Sequence, residues 1–190
     1  MPLDCRSCEE LLKSALASER PLRLMEAVRK GSKPEGAGVR AECRKCSGEG
    51  PERTARAYIE ASPVTVVMCA NRLEGKADVE EALVHELVHA YDFCAGGNNL
   101  ESCETVAYSE VRAAREAECH GRDFLCSYFH KRCVREHAVR STKGVFPAPD
   151  GAAAKCVDAV FDIAWQDTAP FRADAAQGAR EWPGKAAKPT

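Results

Sequence analysis

The stretch Asp78–Cys94, DVEEALVHELVHAYDFC, decides how this chain is read, and His85-Glu86-Leu87-Val88-His89 lies at its centre. Two histidines four apart on a helix stand one turn above each other, so both imidazoles face one way and can hold two corners of a zinc tetrahedron. The glutamate after the first histidine falls on the same side, within reach of a proton on a zinc-bound water. The surrounding pattern predicts the helix. Val79, Leu83, Leu87, Ala90, Tyr91 and Cys94 form one apolar stripe, and Ala82, His85, Glu86, His89 and Asp92 form a polar stripe beside it. Asp78 reads as the N-cap, with Glu81 completing a capping box. Gly96-Gly97-Asn98-Asn99 ends the helix.

Downstream, Ser102–His120 predicts a second long helix, on which Val106, Ala107, Glu110, Ala113, Ala114 and Ala117 share a face. Glu110 is a carboxylate on an otherwise small, apolar stripe, and a buried carboxylate needs a basic side chain or a metal. Arg112 and Arg115 point elsewhere by spacing. One large class of zinc hydrolases adds a third histidine six residues after the second, but that position holds Ala95. Others use a glutamate on a following helix. Glu110, 21 residues after His89, fits that arrangement, with Glu101, Glu104 and Asp92 as rivals. Asp92 suits a supporting group or a charge on the helix face. His85, His89 and Glu110 as ligands of one Zn2+ leave a fourth position for water, the mark of a catalytic site. Zinc brings that water's pKa towards about 7. Glu86 then serves as general base in attack on a peptide carbonyl and passes the proton to the leaving amine. Tyr108, His120, His130 and His137 are the candidates for a further oxyanion donor. Tyr91 reads as packing.

Around this centre the chain predicts an α+β domain. Cys5–Ser18 and a segment from Pro21 to Gly31 read as helices, and Gly31–Gly38 (GSKPEGAG) as a linker. Cys43–Arg53 is polar and turn-rich. Tyr58-Ile59 and Val64–Cys69 read as two strands of a small sheet broken at Pro63. Phe124–His137 and Ala152–Trp165 predict further helices, Gly144–Gly151 a loop, and Ala173–Thr190 a disordered tail. The expected division is an N-terminal helical extension over 1–38, a zinc metallopeptidase domain over 39–172 and the tail over 173–190.

The net charge of −2 over 190 residues gives no global basic field, so nucleic acid is not an expected partner. No apolar run approaches the roughly 20 residues of a membrane helix, and Met1–Leu12 lacks both the apolar core of a secretory signal and the character of a matrix-targeting peptide. Eleven cysteines are many for a reduced cytosolic enzyme. One reading builds a zinc ribbon from Cys5, Cys8, Cys43 and Cys46, although their gap is about twice the roughly 15–20 residues usual there. The other is a disulfide set with one cysteine left over, which implies an oxidising compartment.

HELVHAYD (85–92), preceded by VVMCANRL (66–73) and followed by SEVRAA (109–114), resembles the zinc metalloprotease family of the mitochondrial inner membrane that matures and helps assemble the ATP synthase. RCVREHAVRS (132–141) and CVDAVFDIAWQDTAPF (156–171) extend the likeness, which covers roughly Cys43 to Phe171. The resemblance implies a compact glutamate-zincin: the motif helix, a following glutamate-bearing helix, a small sheet and additional C-terminal helices. It implies a protease of the intermembrane space, peripheral on the inner membrane surface, that removes the N-terminal extension of the ATP synthase subunit 6 precursor. It also implies a separate, non-proteolytic role as assembly chaperone of the membrane sector, and a cysteine-rich chain imported by oxidative folding. By position His85 and His89 match the family's metal histidines, Glu86 its catalytic glutamate and Glu110 the glutamate of its S/T-E-I-R-A segment. An animal relative has been named for DNA-repair binding, a reading that no basic patch here supports. The family's usual cysteine two residues before that glutamate and histidine five before it are Tyr108 and Thr105 here, with a cysteine at Cys103 instead.

Overall fold

The structure, a computed structural model, describes residues 1–32, 38–94, 96, 100–121, 127–146, 149 and 151–171. The expected linker at 33–37, most of the glycine-rich turn at 95–99, the expected helix start at 124–126 and the tail lie outside them. The described residues form six α-helices and one three-stranded sheet, the α+β composition expected, in two compact units, 1–95 and 96–190. None of these helices is long and apolar enough to cross a membrane.

The first unit holds α1 (Cys5–Leu16), α2 (Glu19–Gly31), β1 (Arg40–Arg44), β2 (Ala57–Ala61), β3 (Val64–Cys69) and α3 (Lys76–Cys94). β3, VTVVMC, is the central strand. Val66, Val67, Met68 and Cys69 are fully buried, which is why it reads as a continuous apolar run rather than an alternating one. β2 pairs with it antiparallel across the expected turn at Pro63. β1 pairs with its other edge in parallel and was not expected, because RAECR carries three charges and one side of it faces solvent. α1, α2 and the sheet all pack on α3.

Two disulfides bind β1 in place. Cys8–Cys43 ties it to α1, and Cys46–Cys69 ties the residues after it to the end of β3. The Asn71 side chain adds a clamp, accepting from the Cys46 N–H at 2.9 Å and donating to the Cys46 carbonyl at 2.9 Å. These bonds overturn the zinc-ribbon alternative: Cys8 and Cys43 are joined to each other and Cys46 to Cys69, so of the four proposed ligands Cys5 alone keeps a thiol. Among the described residues Cys5 and Cys94 are free thiols, where a disulfide set with one cysteine left over is expected; Cys126 lies outside the described residues.

The second unit is three helices, α4 (Cys103–Glu116), α5 (Ser127–Val145) and α6 (Ala152–Gln166). α4 packs against both others, through Ala107, Tyr108, Val111 and Ala114 against Val134 and Ala138 of α5 and Val157, Val160 and Ala164 of α6. Cys103–Cys156 joins α4 to α6, and Cys119–Cys133 joins the turn after α4 to α5. Thus Cys103, the cysteine away from the family's usual place, has its own partner. α5 runs eight residues past the expected end at His137, because Ala138 and Thr142 continue its buried face. Gly151, at φ +84°, makes the left-handed turn into α6 that a residue with a side chain would resist.

Candidate metal centre

α3 starts two residues before the expected cap, with the Gly75 carbonyl accepting from the Val79 N–H at 3.0 Å. Asp78 therefore sits inside the first turn. Its carboxylate reaches back to accept from the Glu74 N–H at 3.0 Å and also pairs with Arg56, while Glu81 meets Arg56 at 2.8 Å instead of closing a capping box. Burial pulls the Arg56 guanidinium's pKa down, but its bonds to Glu81 and Asp78 outweigh that and raise it. A fixed positive charge just before β2 thus anchors the first turns of α3.

Beyond that anchor the helix is covered around most of its circumference. Val79, Leu83 and Leu87 are buried as expected, and so are Ala82, Val84 and Val88. The stripe read as polar is only partly so. Asp92 is fully buried, which overturns its reading as a helix-face charge and leaves the supporting role. His85, Glu86 and His89 are half-buried, a polar window in the stretch 82–92, where every other residue but Tyr91 is buried.

In that window the two rings meet edge to face, centroids 4.8 Å apart, and their Nε2 atoms approach to 3.1 Å. A tetrahedral zinc with ligand bonds of roughly 2.0–2.1 Å spans nitrogens about 3.3 Å apart, so the pair suits a shared ion with little adjustment. The donor set, two imidazoles beside a glutamate, fits zinc in its chemistry.

Glu110 belongs to the second unit. α4 opens on a capping box. The Ser102 hydroxyl accepts from the Thr105 N–H and the Thr105 hydroxyl accepts from the Ser102 N–H, both at 3.2 Å. Every residue from Thr105 to Glu116 is buried, not one stripe alone, and Glu110 is 4% exposed. Its rivals Glu101 and Glu104 are exposed.

The two buried arginines of α4 are used by the end of α6. Arg115 donates to the carbonyls of Ala164 at 2.9 Å, Trp165 at 2.6 Å and Asp167 at 2.7 Å, and Arg112 donates to those of Asp167 and Ala169. Orphan carbonyls at a helix C-terminus are natural acceptors for such cations. Of the four proposed oxyanion donors, Tyr108 donates its hydroxyl hydrogen bond to the Asp167 carboxylate, His130 packs edge-on against Trp165, His120 is exposed, and His137 lies beside the Cys119–Cys133 bridge. The Tyr108 hydroxyl is thereby committed to the α6 terminus. Arg56 went unnoticed in the sequence, where a lone arginine before a strand carries no signal of the carboxylates it will meet.

Comparison with known proteins agrees with the motifs. The chain is 28% identical over 173 residues to the Xenopus laevis mitochondrial inner membrane protease ATP23 homolog, covering 86% of this chain and 72% of that protein. It is 31% identical over 137 residues to the Homo sapiens homolog, covering 68% and 54%. The Aspergillus fumigatus mitochondrial inner membrane protease atp23 is 26% identical over 178 residues, covering 88% and 73%. No solved structure matches. The model of the Peptidase M76 family matches residues 6–172, nearly the whole described chain, and the chain belongs to that family.

Proposed function

We propose that the chain is a zinc metalloendopeptidase in which His85, His89 and Glu110 hold one Zn2+ and Glu86 is the general base. The observation that carries this is the 3.1 Å approach of the two Nε2 atoms in the half-exposed window of α3, with Glu86 beside them. Glu110 is supported as third ligand by its burial on a helix that follows the motif, where a carboxylate calls for a cation. Bound there, zinc would polarise a peptide carbonyl and acidify water. Glu86 takes the proton of the attacking water at its carboxylate and delivers it to the leaving amine nitrogen. His85 and His89, fixed by a helix buried on either side of them, keep their ring nitrogens aimed at one point through the cycle.

Its substrate is a polypeptide. We place the protein in the mitochondrial intermembrane space, peripheral on the inner membrane, with the ATP synthase subunit 6 precursor as substrate. The names of the relatives and the four disulfides, which suit an oxidising compartment, support this reading.

Glu86→Gln tests it directly. Cleavage of a peptide spanning the precursor's processing site should fall by about 10²–10⁴-fold, while metal content and circular dichroism stay unchanged. His85→Ala should lose the metal. Wild-type cleavage rates in Glu86→Gln would sink the enzyme reading. Should ATP synthase assembly survive Glu86→Gln yet fail on deletion of the protein, the assembly role is the physiological one.

A further inference from the structure

A second cluster of metal-binding side chains lies wholly within the three-helix unit. Cys119 is fully buried in the turn after α4, and Cys133 and His137 stand one turn apart on α5. The two sulfurs and a ring nitrogen of His137 all lie within 4.8 Å of one another. As a disulfide the sulfurs carry no charge and make a poor ligand. The donors around them are nonetheless held by other means. The Cys119 N–H donates to the Ala114 carbonyl at 2.9 Å and the His120 N–H to the Ala117 carbonyl at 3.0 Å, so the turn keeps its shape without the cross-link. Val111 and Ala114 of α4 pack in one core with Val134 and Ala138 of α5, which keeps the helices adjacent.

We propose that reduction of the Cys119–Cys133 disulfide unmasks a Cys2His site for a divalent ion of zinc type, with solvent in the fourth position. Two equivalents of a monothiol reductant supply two electrons and two protons. The S–S bond breaks, two Cys thiols form, and the reductant leaves as its own disulfide. Metal binding then releases both thiol protons to water and leaves two thiolates and one neutral imidazole on the ion. Zinc bonds of roughly 2.3 Å to sulfur and 2.0–2.1 Å to nitrogen set ligand atoms about 3.5–3.8 Å apart, inside the observed spread. The sulfurs have only to part by side-chain rotation. This site is independent of the histidine pair on α3 and does not rest on the proposed peptidase chemistry.

Co2+ is the probe, added to the full chain before and after phosphine reduction without oxygen. A cobalt ion bound by thiolates gives a sulfur-to-metal charge-transfer band, whereas one bound by His85, His89 and Glu110 has no sulfur to give it. The band should appear on reduction only, with about one equivalent of Co2+. In His137→Ala, whose disulfide is intact and whose oxidised fold can be checked first, Co2+ affinity read from that band should fall by about tenfold or more, given that even outer-shell losses cost metal sites that much. His137→Cys should restore binding with a stronger band. Absence of the band in the reduced wild type, or an unchanged band and affinity in His137→Ala, would overturn the proposal, as would loss of the band in His137→Cys.

Discussion

Among the described residues, the units 1–95 and 96–190 each close two disulfides and use them for different ends. In the first unit both bonds converge on one strand. β1 is short, charged and half exposed, and brings little apolar area to the core, so its place beside β3 depends on Cys8–Cys43, Cys46–Cys69 and the Asn71 clamp. In the second unit the bridges join helices that already share a buried apolar core, and the end of α6 is gripped by buried guanidinium groups. One unit uses covalent staples to compensate a weak element. The other adds staples to elements that pack well without them. The difference has consequences for what breaks each.

The largest effect should come from the guanidinium grip. Arg115 is 7% exposed, and it donates to three carbonyls and to Glu116 at 2.8 Å. Arg115→Ala should cost about 3–5 kcal/mol, the range for breaking a buried charge network by removing one member. Denaturant unfolding monitored on the helices of the second unit checks it. Arg115→Lys, with one point charge in place of a fork, should recover only part. A loss below about 1 kcal/mol would show that the apolar core alone secures α6, since a single net hydrogen bond is worth that much.

Next comes the staple of the first unit. Opening Cys8–Cys43 with a Cys8→Ser/Cys43→Ser pair releases a closed loop of 35 residues, for which chain entropy gives about 4 kcal/mol in the simple model. The location of the loss is the sharper readout. Amide exchange should rise first over Arg40–Arg44, while the β2–β3 hairpin keeps its protection. Opening Cys119–Cys133, a loop of 14, should cost about 3 kcal/mol and leave α4 and α5 protected. Equal loss of protection across both units would erase the contrast.

The same contrast explains what the sequence made legible. The α3 helix and its histidine pair were readable because spacing alone sets which side chains share a turn, and the β2–β3 hairpin because β-branched residues flank Pro63. β1 was hidden because its stability resides in partners far along the chain, and RAECR has no periodicity of its own. The burial of α4 on all sides was hidden for a related reason. Arg112 and Arg115 look like surface residues until the carbonyls at the end of α6 are placed against them. Asp92 and Arg56 show the same limit on α3, where spacing could put a carboxylate on the helix but could neither bury Asp92 nor pair Asp78 and Glu81 with Arg56.

A smaller effect is expected at the anchor of α3. The Arg56 side chain is 38% exposed, so its bonds to Asp78 and Glu81 are weakened by solvent. Arg56→Ala should lower stability by about 1 kcal/mol or less. Its position beside the motif helix makes a second measurement more telling: metal affinity should shift only modestly, because His85 and His89 lie about one and two turns beyond Glu81, on a stretch of α3 held by its own buried side chains. A collapse of metal binding would mean that the window on α3 depends on this anchor more than on the core beneath it.

The smallest effects should be electrostatic and nearly symmetric between the units. Arg44 on β1 holds Glu60 on β2 in a fork, at 2.7 and 3.0 Å, and Arg135 on α5 holds Asp158 on α6, at 2.6 and 2.9 Å. Each guanidinium lowers its partner's carboxyl pKa, from an ordinary 4.5 for Glu60 and 3.8 for Asp158. A carboxyl whose pKa is depressed by folding adds stability that is fully present above its unfolded value and is lost as pH falls through the folded one. Both contributions should therefore hold at neutral pH and fade below about pH 4. Glu60→Gln should flatten the acid limb of exchange in the sheet, and Asp158→Asn that between α5 and α6. High salt should shrink both, because these pairs face solvent. If Glu60→Gln proves far the more costly, the fork is holding β1 from across the sheet, and the polar strand depends on charge as well as on its two sulfur bridges.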